Sequence, residues 1–122
     1  MKVLLSIKPE YAEKILNGEK KYEFRRSIFK NTNVKKIVIY ASSPIQKVIG
    51  EFEIDCIISL ETEDLWNKTK RHSGIDKEFY DNYFNGKETA HAIKVKKTKR
   101  YRKQLGLDYF NINYAPQSFA YI

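Results

Sequence analysis

Six segments of this chain carry the hydrophobic pattern of a β-strand, either a continuous apolar run or alternating apolar and polar side chains. They span residues 3–7, 21–26, 36–41, 47–60, 90–102 and 117–122. Within 21–26, alternation places Lys21, Glu23 and Arg25 on one face of the strand and Tyr22, Phe24 and Arg26 on the other. In 36–41, β-branched residues follow one another, which predicts a central strand.

Apolar residues recur at helical spacing in three segments, and each segment has a residue typical of a helix end. Pro9 opens the first predicted helix and Gly18 follows it. Thr62 is the predicted N-cap of the second helix and Asp76 that of the third, whose aromatic stripe covers 79–84. The resulting order is β-α-β-β-β-α-α-β-β. Strands adjoin strands more often than they alternate with helices, which predicts an open or closed barrel rich in antiparallel pairs.

The chain of 122 residues suits one domain over 1–122, since no Pro/Gly-rich linker or repeat divides it. Hydrophobic residues at 42% and aromatic residues at 14% supply a core and exclude disorder as the main state. No apolar stretch approaches the roughly 20 residues of a membrane span. Cys56 is the only cysteine, so neither an internal disulfide nor a cysteine-rich zinc site is expected. The expected compartment is the cytoplasm.

The formal net charge of +8 is unevenly distributed. Residues 1–50 carry 11 basic and 4 acidic side chains, 51–90 carry 5 and 10, and 91–122 carry 7 and 1. If the two basic ends meet in the fold, they form one positive surface that attracts a polyanion. The composition is equally consistent with solvated surface charges that only keep the protein soluble. Nucleic acid is favoured over an anionic membrane because no basic amphipathic helix is present.

The segment from Gly18 to Arg25 carries the most distinctive chemistry. A helix end, a glycine turn and a strand bring Lys20, Glu23 and Arg25 close together. A carboxylate between two cations stays ionised and orients the guanidinium, which then suits a phosphate or a base edge. The alternative is an ion pair at a strand edge that contributes little energy.

This segment resembles the Gly-x-Lys-x-x-Glu-x-Arg motif of the ASCH domain, a branch of the PUA-like superfamily. Further similarity lies in Ser6-Ile7-Lys8-Pro9, Tyr40-Ala41-Ser42-Ser43-Pro44, Val48-Ile49-Gly50-Glu51-Phe52 and Tyr114-Ala115-Pro116-Gln117-Ser118-Phe119. The resemblance implies an α+β fold: a PUA-like small β-barrel of five to six mostly antiparallel strands with about three flanking helices. It also implies a cleft between barrel and helices, in a family expected to bind RNA or modified nucleic acid.

Nine residues are therefore predicted to form a cationic ligand cleft. They are Ser6, Lys8, Lys20, Glu23, Arg25, Arg26, Tyr40, Ser42 and Ser43. The predicted partner is nucleic acid, RNA in preference to DNA, with a nucleotide or modified nucleoside as an alternative ligand. No cofactor, metal or membrane partner is expected.

A hydrolase acting on RNA or modified nucleosides is the alternative function. Some ASCH proteins remove an acyl group from acetylated cytidine with a Thr nucleophile three positions after the motif Lys, where this chain has Glu23. A carboxylate does not replace that hydroxyl, which argues against this activity. Ribonuclease activity occurs in the wider family, but His91, one of two histidines, shares its strand face with apolar neighbours and is a weak candidate for an acid–base group.

Two other charged segments have competing interpretations. Glu51, Glu53 and Asp55 share a strand face and could hold a divalent cation, but we favour a solvated face or partners for basic neighbours. The basic strand, residues 96–103, is predicted to contact nucleic-acid phosphates, with an aromatic residue as a stacking platform. Its predicted contacts are Lys96, Lys97, Lys99, Arg100, Tyr101, Arg102 and Lys103. The alternative is that these lysines protect a hairpin edge against aggregation.

A third function, a protein-interaction module that uses the aromatic stripe 79–84, also stays open.

Overall fold

The computed structural model describes all 122 residues. Its elements are β1 Lys2–Ile7, α1 Pro9–Leu16, β2 Tyr22–Arg25, β3 Lys36–Ala41, β4 Lys47–Glu61, α2 Thr62–Thr69, α3 Lys77–Tyr83, β5 Thr89–Leu105 and β6 Phe119–Tyr121, with single 3-10 turns at Lys70–His72 and Leu107–Phe110. Six strands and three α-helices in the predicted order confirm the α+β expectation. No helix is both long enough and apolar enough to span a bilayer.

The six strands form one curled half-barrel sheet in the order β2-β5-β4-β3-β1-β6. All neighbouring pairs are antiparallel except β1 and β3, which run parallel because α1 and β2 lie between them in the chain. The prediction of a mostly antiparallel barrel is therefore confirmed, and the barrel is half open. β2 and β6 are its two edge strands.

The two longest strands, β4 and β5, pair along most of their length with register shifts that curl the sheet. Gly50 lies at one of these shifts. A Cβ atom there would lie 2.7 Å from the Lys99 carbonyl oxygen and 3.0 Å from the Leu16 side chain. Only glycine therefore lets β4 approach β5 and α1 this closely.

Apolar side chains pack on both faces of the sheet. The inner cluster holds Ala12 and Ile15 of α1 against the concave face, together with Val3, Leu5, Ile37, Ile39, Phe52 and Ile93. A second cluster places α2 and α3 on the sheet through Phe24, Leu65, Tyr80, Phe84, Ala90 and Ala92. An outer cluster joins Leu4, Val38, Tyr40 and Val48 to the segment that follows β5. The helices and the sheet thus leave a gap between α1 and α3, beside the short edge strand β2.

The predicted helix caps are half correct. Asp76 caps α3 by accepting from the Phe79 amide, as predicted. The prediction for α2 is wrong: Glu61 caps it, accepting from two backbone amides, while the Thr62 hydroxyl donates to the carbonyl of Lys87. The Glu61 carboxylate accepts from the unpaired backbone amides of Glu63 and Asp64, as a Ser or Thr hydroxyl does at other helix N-termini.

Candidate functional site

A cavity of about 210 Å³ lies between α1, α3, the end of β1 and the edge strand β2. Its polar lining comprises Ser6, Lys8, Lys20, Glu23 and Arg25, and its apolar lining comprises Ile7, Tyr11, Phe24, Ile75, Phe79 and Tyr83. The cavity therefore brings together five of the nine residues predicted for the ligand cleft.

Lys20 is the most buried cation of this cavity, with 3% of the residue exposed. Its Nζ donates a 2.6 Å hydrogen bond to the Ser73 carbonyl oxygen. The same atom lies 4.8 Å from the ring centroid of Phe24 and 5.5 Å from that of Tyr11. Burial lowers the pKa of Lys20 to about 8, because removal from water penalises the ammonium form. Lys20 thus titrates close to neutral pH.

The loop after α2 holds the Lys20 side chain in place. Gly74 has a φ of +70°, and a Cβ atom there would lie 2.6 Å from both Cβ and Cγ of Lys20. The Gly74 carbonyl oxygen accepts a hydrogen bond from Lys14 at 3.2 Å, and the His72 carbonyl accepts from the Lys21 amide. Residues 72–74 therefore wrap closely around the lysine stem.

Glu23 and Arg25 form an ion pair of 3.4 Å on one face of β2, the face that strand alternation predicts. Glu23 is 6% exposed, and burial raises its pKa against the opposing effects of Lys20 and Arg25. Arg25 also donates through Nη2 to the Ser118 carbonyl oxygen at 2.7 Å. The guanidinium is thus fixed from two sides, by a carboxylate and by the segment that leads into β6.

Aromatic side chains line the same cavity beside these charges. Tyr11 and Phe79 meet edge to face at 5.2 Å, and Phe79 stacks on Tyr83 at 6.3 Å. The Lys8 ammonium lies 5.6 Å from the Phe79 ring centroid. The cleft predicted from the sequence does not include these rings, although the spacing of Phe79 and Tyr83 by four residues places both on one helix face. Tyr80 and Phe84 of the same stripe are buried against the sheet, so the stripe does not form one exposed surface for a protein partner.

Four residues predicted for the cleft do not line the cavity. Arg26 points away and donates to the carbonyl oxygens of Tyr83 and Asn85, since it follows Arg25 on the opposite strand face. Tyr40 is buried in the outer cluster and is unavailable to a ligand. Ser42 and Ser43 belong to the turn after β3, where they are partly or fully exposed. These four side chains therefore lie outside the cavity.

The basic strand does not present a single surface, because alternate residues of β5 face opposite sides. Lys97 and Lys99 lie opposite Glu53 and Glu51 of β4 and line a groove with them. Arg100, on the other side, makes a bidentate ion pair with Glu13 of α1 at 2.7 and 2.9 Å.

Tyr101 is the aromatic member of the basic strand. Its hydroxyl donates to Glu51 at 2.8 Å, and its ring packs on the outer cluster, which removes it as an exposed stacking platform. The remaining members, Lys96, Arg102 and Lys103, are exposed.

Other residues considered from the sequence have structural partners. His91 shares a 2.7 Å hydrogen bond with Ser59, has a pKa lowered by burial and does not line the cavity. Glu51 makes ion pairs with Lys2 and Lys36, as favoured for the acidic strand face. No three His, Cys, Asp or Glu side chains lie close enough together to hold a metal ion.

The half-barrel sheet with helices beside it, and a charged cavity at the Gly18–Arg25 segment, define a PUA-like domain. The sequence profile of the ASCH domain matches residues 5–99. This chain therefore belongs to the ASCH domain family, as the motif predicts.

Similar proteins agree with this assignment. The crystal structure of ASCH from Zymomonas mobilis is 30% identical, with a TM-score of 0.90 over 99% of this chain and 87% of that one. An "ASCH domain-containing ribonuclease" of Zymomonas mobilis is 34% identical over 90 residues, which are 74% of this chain and 61% of the relative. The "large ribosomal subunit protein uL22" of Ureaplasma parvum is 31% identical over 121 residues. That match covers 98% of this chain but only 39% of the relative.

Proposed function

We propose that this protein binds single-stranded RNA and takes one nucleotide into the cavity. The observation that carries the proposal is that two fixed cations, Lys20 and Arg25, line the same cavity as a group of aromatic rings. Stacked aromatic rings accept a base, while guanidinium and ammonium groups accept phosphate or base-edge oxygens. A volume of about 210 Å³ is below the roughly 300–1,000 Å³ of pockets for drug-sized ligands, so a single nucleotide is the appropriate scale.

Charge and one relative support RNA as the partner. The net charge of +8 favours a polyanion. One similar protein is named an ASCH domain-containing ribonuclease, a name that denotes a protein acting on RNA. Exposed cations outside the cavity that have no ion-pair partner then supply affinity that does not depend on sequence.

A matched pair of arginine variants tests the proposal. Arg25→Lys keeps the charge in the cavity but removes the planar guanidinium, whereas Arg26→Lys makes the same change on the neighbouring residue outside the cavity. RNA oligonucleotides of different sequence are titrated by fluorescence polarisation to find a preferred and a scrambled probe. We expect Arg25→Lys to weaken binding of the preferred probe by about tenfold, within the 1–3 kcal/mol range of a bidentate contact, and Arg26→Lys to leave it unchanged. Equal losses with both variants, or with both probes, would refute a role for the cavity in recognition.

Cleavage of RNA is the second candidate function, favoured by Lys20 and by the relative named a ribonuclease. In this reaction the ribose 2′-oxygen attacks the adjacent phosphorus, and the bond from phosphorus to the 5′-oxygen of the next nucleotide breaks. The 2′-hydroxyl proton leaves to solvent, and the Lys20 ammonium donates a proton to the 5′-oxygen. The products are a 2′,3′-cyclic phosphate and a 5′-hydroxyl. Arg25 stabilises the negative charge that develops on the phosphoryl oxygens.

The pH dependence of cleavage separates the two functions. With a pKa of about 8, the Lys20 ammonium is lost as the pH rises above that value, so the cleavage rate measured with saturating RNA should fall between pH 7 and 9. End-group analysis of the fragments identifies the cyclic phosphate. Wild-type protein that binds RNA at every pH and yields no fragments is a binding module only.

A further inference from the structure

A second polar groove lies on the outer side of the sheet, where β3, β4 and β5 run side by side. This outer groove has a volume of about 190 Å³ and is lined by Lys36, Glu51, Glu53, Lys97, Thr98 and Lys99. Two cross-strand rows build it: Lys36, Glu53 and Lys97 form one, and Glu51 and Lys99 belong to the next. None of these residues lines the cavity beside β2.

The charged side chains of the outer groove differ in whether they have ion-pair partners. Glu51 is buried and fully engaged: it accepts from the Tyr101 hydroxyl at 2.8 Å and makes ion pairs with Lys36 at 3.1 Å and Lys2 at 3.6 Å. Lys97, Lys99 and Glu53, in contrast, make no ion pair within 4.0 Å. The groove therefore offers two free ammonium groups and one free carboxylate within the same concavity.

This combination selects the chemistry of the ligand. Two neighbouring ammonium groups attract a phosphate, but a carboxylate beside them repels it unless the ligand also supplies a hydrogen-bond donor. In RNA the ribose 2′-hydroxyl provides such a donor next to each backbone phosphate, whereas DNA lacks it.

We propose that the outer groove binds a ribose–phosphate unit of an RNA strand. Lys97 and Lys99 contact the phosphate, and Glu53 accepts a hydrogen bond from the 2′-hydroxyl. The inference rests on the RNA binding proposed above and adds a second contact that distinguishes RNA from DNA. A strand that occupies both the cavity and the outer groove gains affinity because the second contact becomes intramolecular.

The first arm of the test concerns the phosphate. Lys97→Gln and Lys99→Gln each remove one cation from the groove, and Arg100→Gln removes one from the opposite side of the same strand. Binding of oligouridylate is measured by polarisation across salt concentrations. Each groove variant should lower the slope of log affinity against log salt by about 0.7, the value for one phosphate contact on a single strand. Arg100→Gln should leave the slope unchanged. The same slope for all three variants would overturn the phosphate assignment.

The second arm concerns the ribose. Glu53→Gln removes the free carboxylate, and Asp55→Asn removes a carboxylate from the same strand outside the groove, where it pairs with Lys94. Oligouridylate and the matched deoxyuridine oligonucleotide are both titrated. With Glu53→Gln we expect about threefold tighter DNA binding because repulsion is lost, and no gain for RNA, so that the preference for RNA falls. Asp55→Asn should leave that preference unchanged.

The outcomes separate this inference from the proposed function. Equal tightening of RNA and DNA by Glu53→Gln would show that the carboxylate acts only by repulsion and would refute ribose recognition. Competition by uridine 5′-monophosphate as strong as by the oligonucleotide would show that the groove takes a free nucleotide instead of a strand. If Arg25→Lys loses the preferred RNA while the groove variants match their controls, only this inference fails. Wild-type protein without affinity for RNA would refute both.

Discussion

The cavity and the basic strand hold their charges in opposite ways. In the cavity, Lys20 and Glu23 are buried. Lys20 donates to the Ser73 carbonyl oxygen, and Glu23 pairs with Arg25, which donates in turn to the Ser118 carbonyl oxygen. In the basic strand, Lys96, Lys97 and Lys99 are exposed and take their direction from strand alternation alone. Fixed, desolvated charges suit recognition of one ligand geometry, while exposed and mobile charges suit attraction that salt weakens. The two regions should therefore respond to different variables: the cavity to pH and shape, and the basic strand to ionic strength.

The largest expected effect comes from removing the buried ammonium of the cavity. The pKa of Lys20 is about 8 in the folded protein and 10.5 in the unfolded chain, so the fold penalises the charged form at neutral pH by about 3 kcal/mol. Lys20→Met should raise the free energy of unfolding at pH 7 by roughly 1–2 kcal/mol, since the lost bond to Ser73 offsets part of this penalty. The same variant should lose RNA binding in the cavity. Urea denaturation and polarisation measure the two effects.

The pH dependence follows from the same residue. Between about pH 8 and 10.5 the unfolded chain holds one more proton than the folded protein, so wild-type stability should rise through this window. Lys20→Met should lack that rise, while Lys21→Met, a change at an exposed neighbour, should keep it. Tyr80 and Tyr101, whose pKa values are raised by burial, lower stability at high pH in all three proteins and cancel in the comparison. If the free energy of unfolding changed with pH in the same way for wild type and Lys20→Met, the Lys20 ammonium would behave like an exposed charge. That result would contradict the prediction.

A smaller effect is expected from the loop that holds Lys20. Gly74→Ala introduces both a strained positive φ and a clash with the lysine stem, whereas Gly18→Ala, at φ +91°, meets no atom within 4 Å. Measured by denaturant unfolding, Gly74→Ala should cost about 1 kcal/mol more than Gly18→Ala, which introduces only the strained φ. Gly74→Ala should also shift the pKa of Lys20 toward its ordinary value, as followed by NMR. Equal losses for the two glycines would show that the loop does not position the lysine.

The smallest effect belongs to the exposed ion pair between Arg100 and Glu13. About half of each side chain is exposed, at 49% and 54%, so solvent screens the attraction. A double-mutant cycle with Arg100→Gln and Glu13→Gln should give a coupling of about 0.5 kcal/mol that shrinks further in high salt. A coupling above about 2 kcal/mol would contradict the contrast between the two regions.

The sequence allows prediction of features that depend on local rules. Strand alternation predicts that Glu23 and Arg25 share a face, and the Asp76 cap follows from helix-end chemistry. The same alternation divides the basic strand between two faces, which counting charges along a segment does not reveal. Features that depend on distant contacts were not predictable: Ser6 donates to the Pro116 carbonyl, 110 residues away, and Tyr40 is drawn into the outer cluster by the segment after β5. Such contacts have no periodic signal.

The hydrogen bond from Arg25 to the Ser118 carbonyl oxygen links one edge of the sheet to the segment that leads into the other edge. Arg25 lies on β2 and Ser118 immediately precedes β6, and these are the two edge strands. Unprotected edges are templates on which a second molecule can add a strand and begin to aggregate. By drawing the edges together across the open side of the half-barrel, with Phe29 packed on Phe119 beside it, this guanidinium limits access to both. Protection of the sheet edges and the proposed recognition of RNA therefore involve the same side chain.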